Sequence, residues 1–384
     1  MITKIFNGKI VTESEILTGQ SLYIEDGKIA GITADDLPCD EWIDACGNYI
    51  SAGFIDLHTH GALDCDFASG SPDEIVKAVN FHCLHGTTTI YPTTLSASAD
   101  EIEKGLCNIN SALSNEGVLP NIEGVHLEGP YFSVNQCGAQ NPDFITPPVK
   151  EDYLRILNKF GGIIKRWSFA PEREGSDAFA DALREKGVAI SIGHSDATYD
   201  DVMTVYDRGC RLITHFYSCM STITREKGYR RLGVIESGYL LDDMYVEAIA
   251  DGHHVPATLF KLLVKIKGCD KICLVTDSIM CCGADTEYAD LGGIPCKIKN
   301  GVAYLLDENA FAGSVATTDC LVRFCVKEVG LSLCDAVKMI TLNPAKVMGL
   351  KNKGKLAKGY DADIVIFDDD INVKKVIVKG KPCN

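Results

Sequence analysis

Between residues 53 and 349 this 384-residue chain alternates short apolar runs with helix-length segments, and that alternation limits its fold more than any other feature. The runs are Phe54 to Leu57, Thr87 to Tyr91, Ile122 to Leu127, Ile163 to Phe169, Val188 to Ile192, Leu212 to Thr214, Tyr245 to Ala250 and Ile272 to Thr276. They are too short for helices and most are rich in β-branched or aromatic residues, so they read as buried strands. The intervening segments carry helix signals. Ser71 or Ser69 can cap a helix from Pro72 to His85 that Gly86 ends, and a second helix runs from Ser98 to Leu113. Eight buried strands with helical crossovers predict a (β/α)8 TIM-type barrel with its active site at the C-terminal ends of the strands.

Both chain ends follow a different rule. Lys4-Ile5-Phe6 and Ser21 to Ile24 alternate apolar and polar residues around the turn pairs Asn7-Gly8 and Asp26-Gly27. Asp363 to Phe367 and Val373 to Lys379 do the same around Asp368-Asp369-Asp370. The expectation is antiparallel pairing within the N-terminal part and one β domain assembled from residues 1–52 and 350–384, set against a barrel of residues 53–349.

Charge narrows the partners. A net charge of −16 excludes a nucleic-acid or anionic-membrane partner, because phosphate backbones require broad clusters of Lys and Arg. Any anionic small molecule must therefore meet a local basic patch. The first residues, Met1 to Phe6, lack an apolar leader, and no apolar run approaches membrane-spanning length, so a cytoplasmic enzyme is expected. The 17 cysteines are odd in number, scattered and without a Cys-x-x-Cys spacing, which predicts free thiols rather than a disulfide framework. Cys65, Cys219, Cys281 and Cys282 fall near the motifs below and read as small apolar fillers.

Applied residue by residue, the strand-end rule gathers polar side chains at one mouth. His58 and His60 follow the first strand, two apart and on one face. Glu128 follows the third, His194 the fifth, His215 the sixth, His253-His254 the seventh and Asp277 the eighth. Six of the nine histidines occupy such positions, a concentration that points to a metal centre. His126 lies on the same strand face as Glu128 and reads as barrel interior, while His82 and His85 close a helix, where a cation favours the dipole. Glu128, His194 and His215 offer one oxygen and two nitrogens and leave positions open, as a catalytic site requires. His58 and His60 can hold a second ion, with Glu128 between the two and Asp277 completing the set. A divalent ion brings its water within reach of deprotonation at neutral pH, and Asp277 is placed to move the proton.

These residues stand in motifs that resemble the amidohydrolase superfamily. Ala52 to Gly61 looks like its metal motif. Gly124-Val125-His126-Leu127-Glu128-Gly129-Pro130, Gly193-His194-Ser195, Thr214-His215-Phe216, Asp251 to His254, Leu274 to Asp277, Ala312-Gly313-Ser314 and Leu342-Asn343-Pro344-Ala345 are similar, in order, to the N-acetylglucosamine-6-phosphate deacetylase family. The resemblance implies a β-sandwich built from both chain ends, a homodimer, and hydrolysis of the N-acetyl amide of an N-acetylhexosamine 6-phosphate. It also implies one or two divalent ions, zinc first with iron, manganese or cobalt as alternatives. Glu128, His194 and His215 would bind the principal ion, Asp277 would be general base and acid, and His254 and Gly313 would contact substrate.

Departures from the family pattern fall on substrate recognition. Gln140, in Gly138-Ala139-Gln140-Asn141, stands where the family usually has a histidine that polarises the substrate carbonyl; its amide can still donate to an oxyanion. Ser218-Cys219-Met220 replaces a family Asn-Ala-Met that reaches the phosphate. The basic patch is Arg225, Lys227, Arg230 and Arg231, with Arg225 the first candidate for a phosphate anchor. The departures leave two other readings: a galacto-configured, unphosphorylated or otherwise different amide substrate, or a non-catalytic sugar-phosphate sensor.

Overall fold

Eight strands run parallel and in chain order: β1 (Phe54–Thr59), β2 (Thr87–Thr94), β3 (Val125–Glu128), β4 (Ile164–Phe169), β5 (Ala189–Ile192), β6 (Leu212–Ile213), β7 (Tyr245–Ala248) and β8 (Ile272–Leu274). The structure is a computed structural model describing residues 1–307 and 309–383. The ring closes where Thr59 bridges Ser278 in the parallel sense and the Asp277 amide donates to the His58 carbonyl at 2.8 Å. This is the expected TIM-type barrel. Every residue of β1 and β2 is buried, so neither strand shows the apolar–polar alternation of a sheet with one face in water; β2 is dominated by β-branched threonines.

The crossover helices begin where their caps dictate. Ser71 opens helix Pro72–Leu84 in a capping box with Glu74, and Ser98 opens helix Ala99–Leu113 in the same way with Glu101. Each box satisfies amide donors that have no partner within the helix.

The chain ends form two sheets over one apolar layer. A four-stranded sheet orders Lys28–Thr33, Ser21–Glu25, Ile2–Phe6 and Glu41–Asp44. A six-stranded sheet joins both termini, with Tyr49–Ala52 antiparallel to Ile364–Phe367. Ile5, Ile10, Leu22, Ile24, Ile50, Ile364 and Ile377 pack together in this layer. The expectation of purely antiparallel pairing near the N-terminus is corrected. Ile2–Phe6 runs parallel to Glu41–Asp44, and Lys9–Val11 runs parallel to Tyr49–Ala52, because the intervening chain returns before pairing.

The barrel interior holds a polar layer beneath the mouth. Arg166 is fully buried; Nε donates to Ser191 Oγ at 2.9 Å, one terminal nitrogen to Thr214 Oγ1 at 2.9 Å, and the other to Glu247 and the Leu57 carbonyl. His126 joins this layer through Thr93 and Ser168, as its strand position predicts. His82 corrects another expectation. It lies in the last turn of its helix, but full burial pushes its pKa down to about 4, so it is a neutral ring 3.0 Å from the Gly61 carbonyl rather than a cation on the dipole.

An antiparallel sheet of Tyr288–Leu291, Ile294–Lys299 and Val302–Leu305 follows the barrel's last strand. No motif announced it. Among the described residues no helix is long and apolar enough to cross a membrane.

Candidate active site

The chain turns sharply as it leaves the barrel. His194, His215 and Asp277, each just beyond a strand, have φ of 47°, 24° and 47°. Residues other than glycine occupy this region at a cost of about 1–3 kcal/mol each, and such positions concentrate at functional sites. The turns bring these side chains over the mouth, where β1 delivers His58 and His60 and β3 delivers Glu128.

Two groups of ligand atoms result, His58–His60–Asp277 and Glu128–His194–His215, each with its atoms within 4.8 Å of one another and all buried. His60 Nε2 is 3.2 Å from Asp277 Oδ1 and 3.2 Å from His58 Nε2. Glu128 Oε1 is 3.0 Å from His215 Nε2 and 3.2 Å from His194 Nε2, while its Oε2 is 3.3 Å from His60 Nε2. Glu128 thus stands between the groups.

These side chains fit a divalent ion. Imidazole nitrogens and carboxylate oxygens are ligands for zinc, iron, manganese and cobalt, and three per group leave open positions. The protonation pattern agrees. Burial opposes charge on His58, yet the Glu128 and Asp277 carboxylates push its pKa up to about 10; the same carboxylates raise His60 to about 9. Burial likewise opposes charge on Asp277, but His58 and His60 hold it down at about 2. The cluster therefore demands positive charge, which protons supply unless a cation replaces them.

The outer faces of the rings are held unequally. His58 Nδ1 meets Glu247 Oε2 at 3.2 Å, and His194 Nδ1 meets the Gln136 carbonyl at 2.8 Å. Glu247 Oε2 also accepts from the His215 amide at 3.2 Å. The sequence reading missed Glu247 and Arg166. The available signal was a charged residue inside an apolar strand, which is almost never fully buried unless paired.

One cavity of about 210 Å³ opens onto the cluster. It is smaller than sites for drug-sized ligands, so its occupant is small. Gln140, Ser218, Cys219, His254 and Gly313 line it with His60, Glu128, His194, His215 and Asp277. Gln140 is buried; its Nε2 donates to Glu128 Oε2 at 2.7 Å and its Oε1 accepts from the Ser96 amide at 2.7 Å. His254 Nδ1 donates to Asp251 at 2.7 Å, and its ring packs on Phe311. Gly313 has φ of 76°, and a Cβ there would fall 2.6 Å from Ile279 and 3.0 Å from the Asp277 carbonyl, so only glycine fits. Leu291, Ala310 and Phe311 complete the wall from the unannounced sheet region.

Arg225 is the exception. It does not line the cavity but lies on an exposed hairpin of Thr224–Glu226 and Tyr229–Arg231, directly across from Arg230.

Comparisons with known proteins agree with this geometry. Residues 49–383 match the amidohydrolase family. The chain is 32% identical to an N-acetylglucosamine-6-phosphate deacetylase of Lysinibacillus sphaericus, covering 94% of this chain and 92% of the relative. It is 28% identical to an N-acetylgalactosamine-6-phosphate deacetylase of Escherichia coli O157:H7, covering 97% of each. Its structure is similar to that of an N-acetyl-D-glucosamine-6-phosphate deacetylase mutant from Mycobacterium smegmatis in complex with N-acetyl-D-glucosamine-6-phosphate, with a TM-score of 0.90 at 28% identity over 100% of this chain and 99% of the other. A closed barrel with two buried metal-ligand groups at its mouth, matched over most of its length, leaves one conclusion: this chain belongs to the amidohydrolase family.

Proposed function

We propose that this protein hydrolyses the N-acetyl amide of an N-acetylhexosamine 6-phosphate, N-acetylglucosamine 6-phosphate first among them, to acetate and the amino-sugar phosphate. The observation that carries this reading is the single small cavity onto which both ligand groups and Asp277 open, in a chain so similar to deacetylases of such substrates. Zinc is the first candidate ion, with iron, manganese or cobalt as alternatives, and the two ligand groups favour two ions over one. A divalent ion held there supplies Lewis acidity and lowers the pKa of its water toward neutrality.

The protein's own groups do the rest. Asp277, ionised well below neutral pH, takes the proton of the attacking water and returns it to the leaving amine. The amide hydrogen that Gln140 does not give to Glu128 donates to the developing oxyanion. His254, whose Nδ1 proton goes to Asp251, presents its Nε2 lone pair to the substrate. Ser218 and Cys219 border the sugar. Arg225 and Arg230 anchor the phosphate: facing guanidinium groups repel each other, and an anion between them removes that cost. A homodimer, a cytoplasmic location and a division into residues 1–52 with 350–384 and residues 53–349 belong to the same reading.

A galacto-configured substrate is the second reading, favoured by Gln140 and Ser218 and by the similarity to an N-acetylgalactosamine-6-phosphate deacetylase. Acetate release from N-acetylglucosamine and N-acetylgalactosamine, each with and without the 6-phosphate, tests both. The expected order places a phosphorylated sugar first. Equal rates with and without phosphate would remove the phosphate assignment, and no acetate from any of the four would remove the function.

A further inference from the structure

The loop after β3 touches two of the three ligands in the Glu128–His194–His215 group. The Gln136 carbonyl accepts from His194 Nδ1 at 2.8 Å. A carbonyl only accepts, so the ring proton is fixed on Nδ1 and the Nε2 lone pair is left toward Glu128 and His215. Four residues on, Gln140 Nε2 donates to Glu128 Oε2 at 2.7 Å.

That loop is itself fastened to the segment after β5 by one carboxylate. Asp196 Oδ2 accepts from Ser133 Oγ at 2.9 Å and Asn135 Nδ2 at 3.0 Å, and Oδ1 accepts from Gln136 Nε2 at 2.6 Å. Asp196 is held in turn by Glu172, whose Oε1 accepts from the Asp196 amide and whose Oε2 accepts from Ser195 Oγ, both at 2.7 Å. A main-chain bond from the Ser133 amide to the His194 carbonyl, 2.9 Å long, adds one more tie.

We infer that Asp196 is a positioning residue that latches residues 133–140 so that Gln136 and Gln140 aim two of the three ligand atoms of the Glu128–His194–His215 group. His58, in the other group, takes its support from Glu247 instead. Glu247 also accepts from the His215 amide and Glu128 reaches His60, so the groups are linked. The contacts the latch aims nevertheless fall on Glu128 and His194, and its loss weakens the Glu128–His194–His215 group more than the other. Contacts of this kind set ligand direction and basicity, and their loss lowers metal affinity by roughly 10–100-fold. The inference rests on the reading above that these residues hold divalent ions.

Calorimetric titration of the metal-free full-length protein with Co²⁺, followed in parallel by visible absorption, tests it on wild type, Asp196→Ala and Gln136→Ala. His60→Ala assigns the two binding phases. Gln136→Ala removes one latch donor but keeps the carbonyl that serves His194. Asp196→Ala is expected to raise Kd at the Glu128–His194–His215 group roughly 10–100-fold, and Gln136→Ala by a smaller factor. The other Kd, linked to the first through Glu128, rises by a clearly smaller factor, and the metal-free Tm shifts by only a few degrees, as befits loss of surface-loop hydrogen bonds. Unchanged Kd values in Asp196→Ala overturn the latch, as do equal losses at both groups with the metal-free Tm falling in step. Should Asp196→Ala fail to fold, an unchanged Kd in Gln136→Ala overturns it alone. Wild type that takes up no ion ends both this inference and the metal reading, whereas normal uptake with indifferent variants ends only the latch.

Discussion

Glu247 Oε2 lies 3.2 Å from His58 Nδ1, and the other oxygen of the same carboxylate pairs with the guanidinium of Arg166. All three side chains are fully buried. The metal mouth therefore rests directly on a charged layer inside the barrel, and the stability of that layer bears on the site above it.

Removing one partner leaves the other as a buried, uncompensated charge, which costs about 3–5 kcal/mol. Glu247→Gln is expected to lower the metal-free Tm by on the order of 10 °C. The double variant Arg166→Met/Glu247→Gln should recover much of that loss, since neither charge is then stranded. Thermal unfolding of both variants checks this, and a double variant no more stable than Glu247→Gln would contradict the account.

Asp277→Asn keeps the shape of the side chain and removes its capacity to take a proton. Turnover of N-acetylglucosamine 6-phosphate should fall by about 10²–10⁴-fold, the usual contribution of general acid–base catalysis. Acetate release at saturating substrate and fixed metal measures it. Near-wild-type turnover would remove Asp277 from the mechanism.

The facing pair Arg225 and Arg230 should act on substrate binding. Each replaced by Ala is expected to raise KM for the phosphorylated sugar roughly tenfold or more while kcat changes little, the signature of lost uniform binding. Unphosphorylated substrate should not notice the change. KM values that move equally for both substrates would place the hairpin's role elsewhere.

His82 gives a pH signature. Its folded pKa of about 4 lies below the ordinary 6.5, because burial disfavours the charged ring. As pH falls below 6.5 the unfolded chain takes up this proton and the folded protein does not, so stability is lost between about pH 6.5 and pH 4 and is fully present above that window. The contribution is on the order of 3 kcal/mol. In His82→Gln, compared with wild type as metal-free protein, Tm should fall less steeply over this range. Parallel curves would show that His82 does not titrate as described.

Much of the scaffold was written locally. Ser71 with Glu74 and Ser98 with Glu101 announce two helices because capping is a matter of neighbouring residues. The β1 to β8 runs announce a barrel because short, largely apolar or β-branched segments alternating with helices mark strands buried on both faces. His58, His60, Glu128, His194, His215 and Asp277 could be picked out together, since a parallel barrel delivers every strand end to the same mouth.

What resisted reading depends on contacts between distant segments. Arg166 and Glu247 are 81 positions apart, and nothing near either residue says that the other neutralises it. Gln140 could be recognised as a departure, but its hold on Glu128 and Ser96 exists only once the loop is folded back. Leu291 and Phe311 reach the cavity from a sheet and the segment just beyond it, whose short strands carry no motif. The parallel pairing of Ile2–Phe6 with Glu41–Asp44 is likewise a choice of partner, which local alternation leaves open.

The sequence by itself determined the barrel and the ligand types, because periodicity, caps and strand-end chemistry act over a few residues. Only the tertiary structure decided how the two ligand groups share Glu128, which carboxylates support them, and that Arg225 stands outside the cavity wall. Those outcomes depend on burial and on the direction in which each side chain approaches another, and both are set by the packing of segments far apart in the chain.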